Sequence, residues 1–255
     1  MGKAYSTINV YRSMLSVTLP QVDGQDVGKH PTVVKLMKGI FNSNPPKPKY
    51  AGTWDVDLVL NFFKTAPPNG KLSLIQLSRK TAMLLALVTM FWVSELAPIN
   101  LSSINFSGSG LLFSLSRLRN SQRNRPLLSR KIVRLEDVII CPVAATEAYI
   151  KATLILRKPG ENANMFVGSV KPHKEVKGST IGHWLKKVLE LVGVDTSIFS
   201  AHSTRGASAS KAAEKGVPTY SILKTASWAS ESTFVRFYRR DIPQKDAGTS
   251  VLGGD

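Results

Sequence analysis

Residues 200–240 read SAHSTRGASASKAAEKGVPTYSILKTASWASESTFVRFYRR, and the fold turns on how this stretch is parsed. His202 to Lys215 is a small-residue segment that predicts a helix, closed by Gly216, which tolerates the left-handed turn that ends helices. Pro218 opens a second helix to Ala226, and Ser230 to Arg239 predicts a third. His202 and Arg205 form a His-x-x-Arg pair at the start of the first helix, Trp228 follows the second, and Tyr238 comes ten positions later. Each alone has a plain structural explanation: a solvated arginine beside Gly206, a core tryptophan, a tyrosine on an amphipathic helix. The ordered set of four is far more specific than any member.

Working outward, Leu72 to Phe91 is long, apolar and rich in Leu, Ala and Met, as a buried central helix requires. Ile104 to Phe106, Leu111 to Leu115 and Leu127 to Leu135 read as short strands around Gly/Ser-rich and Arg-rich turns. Pro142 opens a helix to about Arg157, Met165 to Val167 suggests one more strand, and Ser179 caps a helix that Gly193 ends. At the start, residues 5–18 put Ile8, Tyr11, Met14 and Leu15 on one helical face, and a second helix covers Thr32 to Phe41. The Pro/Lys-rich stretch Asn44 to Lys49 then reads as a stiff linker. The expected fold class is mixed, mainly α with a small antiparallel sheet. Its expected parts are a helical segment at 1–45, a main domain at 46–240 and a flexible tail at 241–255.

Composition narrows the function. Lys plus Arg number 34 against 17 Asp plus Glu, a formal charge of +17, which attracts polyanions and makes nucleic acid the first partner to consider. The longest strongly apolar run, residues 82–93, is too short to span a bilayer, and the amino-terminal sequence has no secretory core, so no membrane role is expected. Cys141 lies in an apolar run and is read as a buried, inert thiol in a reducing compartment. His30, His173 and His183 lack partners at metal-ligand spacing; no metal and no other cofactor is expected.

The set His202, Arg205, Trp228 and Tyr238, with the words AHSTR, ILKTASW and SESTFVRFY, resembles the carboxy-terminal pattern of the tyrosine recombinase (phage-integrase-like) family. The flanks are most similar to the recombinases of DIRS-type retrotransposons. The similarity runs from Tyr5 and takes in HPTVVKLMKGIF at 30–41 and the Trp54-Asp55-Val56-Asp57 stretch. It implies a tyrosine-recombinase catalytic domain at 46–240, preceded by the end of a helical, SAM-like core-binding segment. It further implies that Tyr238 attacks a DNA phosphate to leave a 3′-phosphotyrosyl bond and a free 5′-hydroxyl. By the same resemblance Arg205 clamps the phosphate, His202 moves a proton and Trp228 donates its indole N–H. The implied partner is double-stranded DNA, bound by a homo-tetramer on paired sites in the nucleus.

Two positions depart from the family pattern. Relatives carry an arginine in a phrase like Thr-Gly-x-Arg-x-Ser-Glu-Leu, where this chain has Thr89 to Leu96 with Trp92 in the arginine's place. Relatives also carry a lysine in a β-hairpin turn that protonates the leaving 5′-oxygen. Here Arg119 is the nearest positional match, and an arginine holds its proton too tightly to be a good acid. Between Glu95 and Glu136 stand seven basic residues and no acidic one, so Arg117, Arg119, Arg123 and Arg125 are expected on a DNA backbone. Two readings follow: a recombinase impaired at Trp92, or an inactive DNA-binding remnant or domesticated protein of a mobile element. Residues 210–237 also read as helix, turn, helix, which would serve the second reading without catalysis.

Overall fold

The computed structural model describes residues 2–46, 50, 52–115, 129–157, 163–228, 231, 234 and 235. It divides into two compact units, residues 1–49 and 50–255. In the first, α1 (Tyr5–Thr18) and α2 (Pro31–Ser43) are the two expected helices. His30 caps α2 by accepting the Thr32 N–H on its Nδ1 at 3.3 Å, and Pro31 takes a first-turn position whose N–H would lack a partner anyway. Among the described residues of this unit, Met37 alone is a buried apolar side chain, a core too small to hold such a unit folded by itself.

The second unit is organised around α4 (Leu74–Thr89). Ser73 closes its start by donating its N–H to the Gln76 side chain at 2.9 Å, and residues 80–87 are buried without interruption. A helix apolar all round must be enclosed, and α6 (Pro142–Leu154) and α7 (Gly178–Leu191) pack against it. Each fully buried leucine contributes about 1.5–3 kcal/mol relative to exposure. α3 (Val56–Thr65) was not resolved in the sequence as an element. Its buried stripe is only Val56, Val59 and Phe63, and exposed Leu58 blurs the period.

The sheet is a three-stranded antiparallel meander in the order β1 (Asn105–Ser107), β2 (Gly110–Ser114), β3 (Ser129–Val133). A Cβ at Gly110 would sit 2.1 Å from the Ile132 carbonyl oxygen, so only glycine allows this approach of the strands. Across β2 and β3, Leu111 pairs with Ile132 and Phe113 with Arg130. Leu111, Phe113 and Ile132 are buried, so strand alternation turns Arg130 to the inner face and Lys131 outward.

The fold class is the expected one, mainly helical with a small antiparallel sheet. One expected strand is absent. Met165 to Val167 makes only an isolated bridge, Val167 with Glu175. The Tyr149 hydroxyl takes the place of a partner strand, accepting the Val167 N–H at 3.0 Å and donating to its carbonyl at 3.2 Å. The helix expected to reach Arg157 ends at Leu154, and α7 begins at Gly178, where a Cβ would stand 3.2 Å from Ser94 Cα. The expected tail at 241–255 and all but Glu231, Phe234 and Val235 of the expected last helix lie outside the described residues. No helix among the described residues is long and apolar enough to cross a membrane.

Candidate functional site

Two helices build one side of the site. α8 (Ser203–Glu214) carries Ala and Ser on its inner face, which lets it approach α4 closely enough for Ser208 Oγ to donate to the Leu87 carbonyl. Its first turn is anchored by the buried Trp54, whose indole N–H donates to Ser203 Oγ at 2.9 Å. α9 (Thr219–Ala226) ends at Ser227 in a left-handed conformation, φ 54°; the Trp228 and Ser227 N–H groups donate to the Leu223 and Lys224 carbonyls, and the carbonyls of Thr225 and Ala226 are left to cations.

Arg205 stands at the centre, 4% exposed. Its guanidinium donates to the Ala226 carbonyl and lies 3.9 Å from Glu95 Oε2. Its carbon is 4.8 Å from the centre of the Trp92 ring and 4.9 Å from that of Trp228, so two indoles flank the cation. Desolvated cation–π contacts of this kind contribute about 2 kcal/mol. Trp228 in turn stacks on the buried Phe234 at 5.5 Å, and exposed His202 meets the Trp92 ring edge-on at 5.2 Å. Glu95, on α5 (Val93–Leu96), is fixed by accepting the Trp92 N–H at 2.7 Å.

The structure therefore brings together Arg205, His202, Trp228 and Trp92. Tyr238, Arg117, Arg119, Arg123 and Arg125 lie outside the described residues. Arg130 is at the site and was not singled out in the sequence. Its Nη2 donates to the Thr225 carbonyl and Ser227 Oγ, each at 2.9 Å, and to the Lys224 carbonyl at 3.3 Å. Its guanidinium carbon sits 5.2 Å from the Phe91 ring centre. Burial pulls its pKa below the ordinary arginine value, and the Glu95 carboxylate opposes that shift. Its place two residues before the inward Ile132 was the only sequence signal for it.

Other candidates resolve plainly. His173 Nδ1 pairs with the Gly168 carbonyl at 2.9 Å, His183 is exposed, and no metal-holding group of His, Cys, Asp and Glu occurs among the described residues. Cys141 is buried at the start of α6, its sulfur accepting the Leu135 N–H at 3.3 Å. Lys211 on the outer side of α8 is held by Asp57 at 2.8 Å, Glu214 at 3.2 Å and Asp55 at 3.6 Å, which raise its pKa and occupy its charge.

With this geometry in view, the sequence profile of the phage integrase family matches residues 56–245, more than half of the chain. Among solved structures, XerA recombinase aligns at 18% identity with a TM-score of 0.53, covering 98% of this chain and 81% of that one. XerH recombinase in a post-cleavage complex with its difH substrate aligns at 12% identity and TM-score 0.62, covering 98% of this chain and 68% of that one. The Tn1549 transposon integrase bound to transposon right-end DNA aligns at 15% identity and TM-score 0.60, covering 99% of this chain and 81% of that one. No curated protein matches the chain in sequence.

Proposed function

Because the chain belongs to the phage integrase family, we propose that it binds duplex DNA and cuts and rejoins strands through Tyr238, at a rate that Trp92 depresses. The observation that carries this reading is the placement of Arg205 between the rings of Trp92 and Trp228, with His202 against Trp92, in a chain of charge +17. Neutralising DNA phosphates releases counterions, so such a charge favours binding at low salt. In the reaction the Tyr238 oxygen bonds to phosphorus, and the 5′-oxygen leaves with its electron pair and takes up a proton. The 3′-phosphotyrosyl link stores the bond until another 5′-hydroxyl attacks it and frees the tyrosine. His202 moves protons and Arg119 stabilises the leaving oxygen by its charge. The protein acts as a homo-tetramer on paired sites in the nucleus, in the manner of a DIRS-type element's enzyme.

Trp92 slows this chemistry in two ways. It replaces a charged, multiple donor by one neutral N–H, and its ring covers one side of the Arg205 guanidinium. Loss of one preorganised donor costs roughly 10²–10³ in rate. The test is covalent capture of the protein on a nicked duplex in a denaturing gel. Slow adduct formation that vanishes in Tyr238→Phe and rises about 10²-fold or more in Trp92→Arg supports the reading. Fast cleavage by the unmodified chain would overturn the role of Trp92. The same enclosure of Arg205 favours a second reading, a DNA-binding remnant of a mobile element without catalysis. Its mark is salt-sensitive DNA binding with no adduct from either the unmodified chain or Trp92→Arg.

A further inference from the structure

We infer that Arg130 supplies the second guanidinium of the phosphate site, entering from β3 in place of the one that Trp92 removes. This rests on the reading that the site takes a DNA phosphate. Arg205 and Arg130 are anchored on consecutive residues: Arg205 on the Ala226 carbonyl, Arg130 on Lys224, Thr225 and Ser227. The two guanidinium groups therefore gather at the open end of α9, whose carbonyl dipoles favour cations. Both also sense one carboxylate, Glu95, which lies 3.9 Å from Arg205 Nη1 and holds up the pKa of Arg130 against burial.

The donors are distributed to match. Arg205 is 4% exposed with an indole flanking it at 4.8 and at 4.9 Å, so little of it faces outward. Arg130 is partly exposed, and its three hydrogen bonds all leave from Nη2. Its Nη1 makes no hydrogen bond among the described residues, and its Nε is buried without one. A guanidinium pinned at one nitrogen with a second nitrogen unspent is preorganised to meet a phosphate oxygen. Phe91, against which Arg130 rests at 5.2 Å, directly precedes Trp92, so Arg130 reaches the same turn of chain from which the family's arginine projects.

The test uses the full chain with inorganic phosphate as the probe, followed through the fluorescence of the indoles at the site, and the nicked duplex in parallel. Arg130→Gln keeps an amide donor for the α9 carbonyls and removes the charge, so the end of α9 stays held. Phosphate affinity should fall about tenfold or more in Arg130→Gln, change less than about twofold in Lys131→Ala on the opposite face of the strand, and recover in the double variant Arg130→Gln with Trp92→Arg. Equal losses in Arg130→Gln and Lys131→Ala, or no recovery in the double variant, would overturn the proposal. If Tyr238-dependent adduct forms on the nicked duplex and Arg130→Gln leaves its rate unchanged, the proposal falls while the strand-cleavage reading stands. If the unmodified chain takes up neither phosphate nor duplex, that reading falls first and Arg130 with it.

Discussion

Among the described residues of the second unit two cations are buried, and they are kept in opposite ways. Arg205 is 4% exposed and meets a carbonyl, a carboxylate and two indoles. Lys80, in the middle of α4, is 1% exposed, and its Nζ has no hydrogen-bond partner among the described residues. It lies 5.8 Å from the Phe63 ring and lines a cavity of about 410 Å³ with Phe62, Phe63, Leu72 and Val188. A buried charge is tolerated either by surrounding it with fixed partners or by letting it lose its proton. Arginine cannot do the second, so where the chain buries one it must build a site around it. Lysine can, and burial indeed pulls the Lys80 pKa below its ordinary value, with Asp137 opposing.

The largest effect that would break this contrast is on Arg205. Arg205→Ala removes the cation 3.9 Å from Glu95 and the donor to the buried Ala226 carbonyl, and should destabilise the fold by about 3–5 kcal/mol in urea unfolding. A loss below about 1 kcal/mol would show that the enclosing residues hold without it. Lys80→Met removes an unsatisfied buried donor while keeping the stem's volume, and should stabilise the protein by about 1–3 kcal/mol near neutral pH.

The pH dependence sharpens the same point. A lysine whose folded pKa is depressed binds fewer protons folded than unfolded, so its contribution to stability rises with pH from the depressed folded pKa up to the unfolded value near 10.5. The advantage of Lys80→Met over the unmodified chain should accordingly shrink as pH is raised toward 10.5, read as converging urea midpoints. A constant gap would mean that Lys80 stays charged in the fold. The smallest effect is at the edge of the site. Trp54→Phe loses the N–H donated to Ser203 and should cost about 1 kcal/mol, with DNA affinity unchanged, because Trp54 positions the start of α8 from behind.

Much of the second unit was legible from local pattern. Gly216 and Pro218 marked where α8 stops and α9 starts, and the apolar run at 72–91 marked α4, because a chain's own φ/ψ preferences and side-chain period act within a few residues. Where tertiary partners replace local ones the pattern misled: Val167 is satisfied by Tyr149, 18 residues away, and forms no strand.

The order His202, Arg205, Trp228, Tyr238 and the tryptophan at position 92 are properties of the sequence alone, and they sufficed to point to the family. What Arg205 touches was decided by folding. Its partners come from the turn that carries Trp92 and Glu95 and from Ala226 of α9, which meet it only when α8 packs against α4. Arg130 shows the same division. Alternation along β3 determines which face it occupies, but its acceptors lie 94 to 97 residues downstream, on the last turn of α9 and its cap Ser227. No local rule links positions so far apart. Their meeting is set by tertiary packing, the sheet on the main core and α9 on a smaller cluster with Met90, Ala209 and Phe234, and burial there demands a partner for every charge that cannot shed its proton.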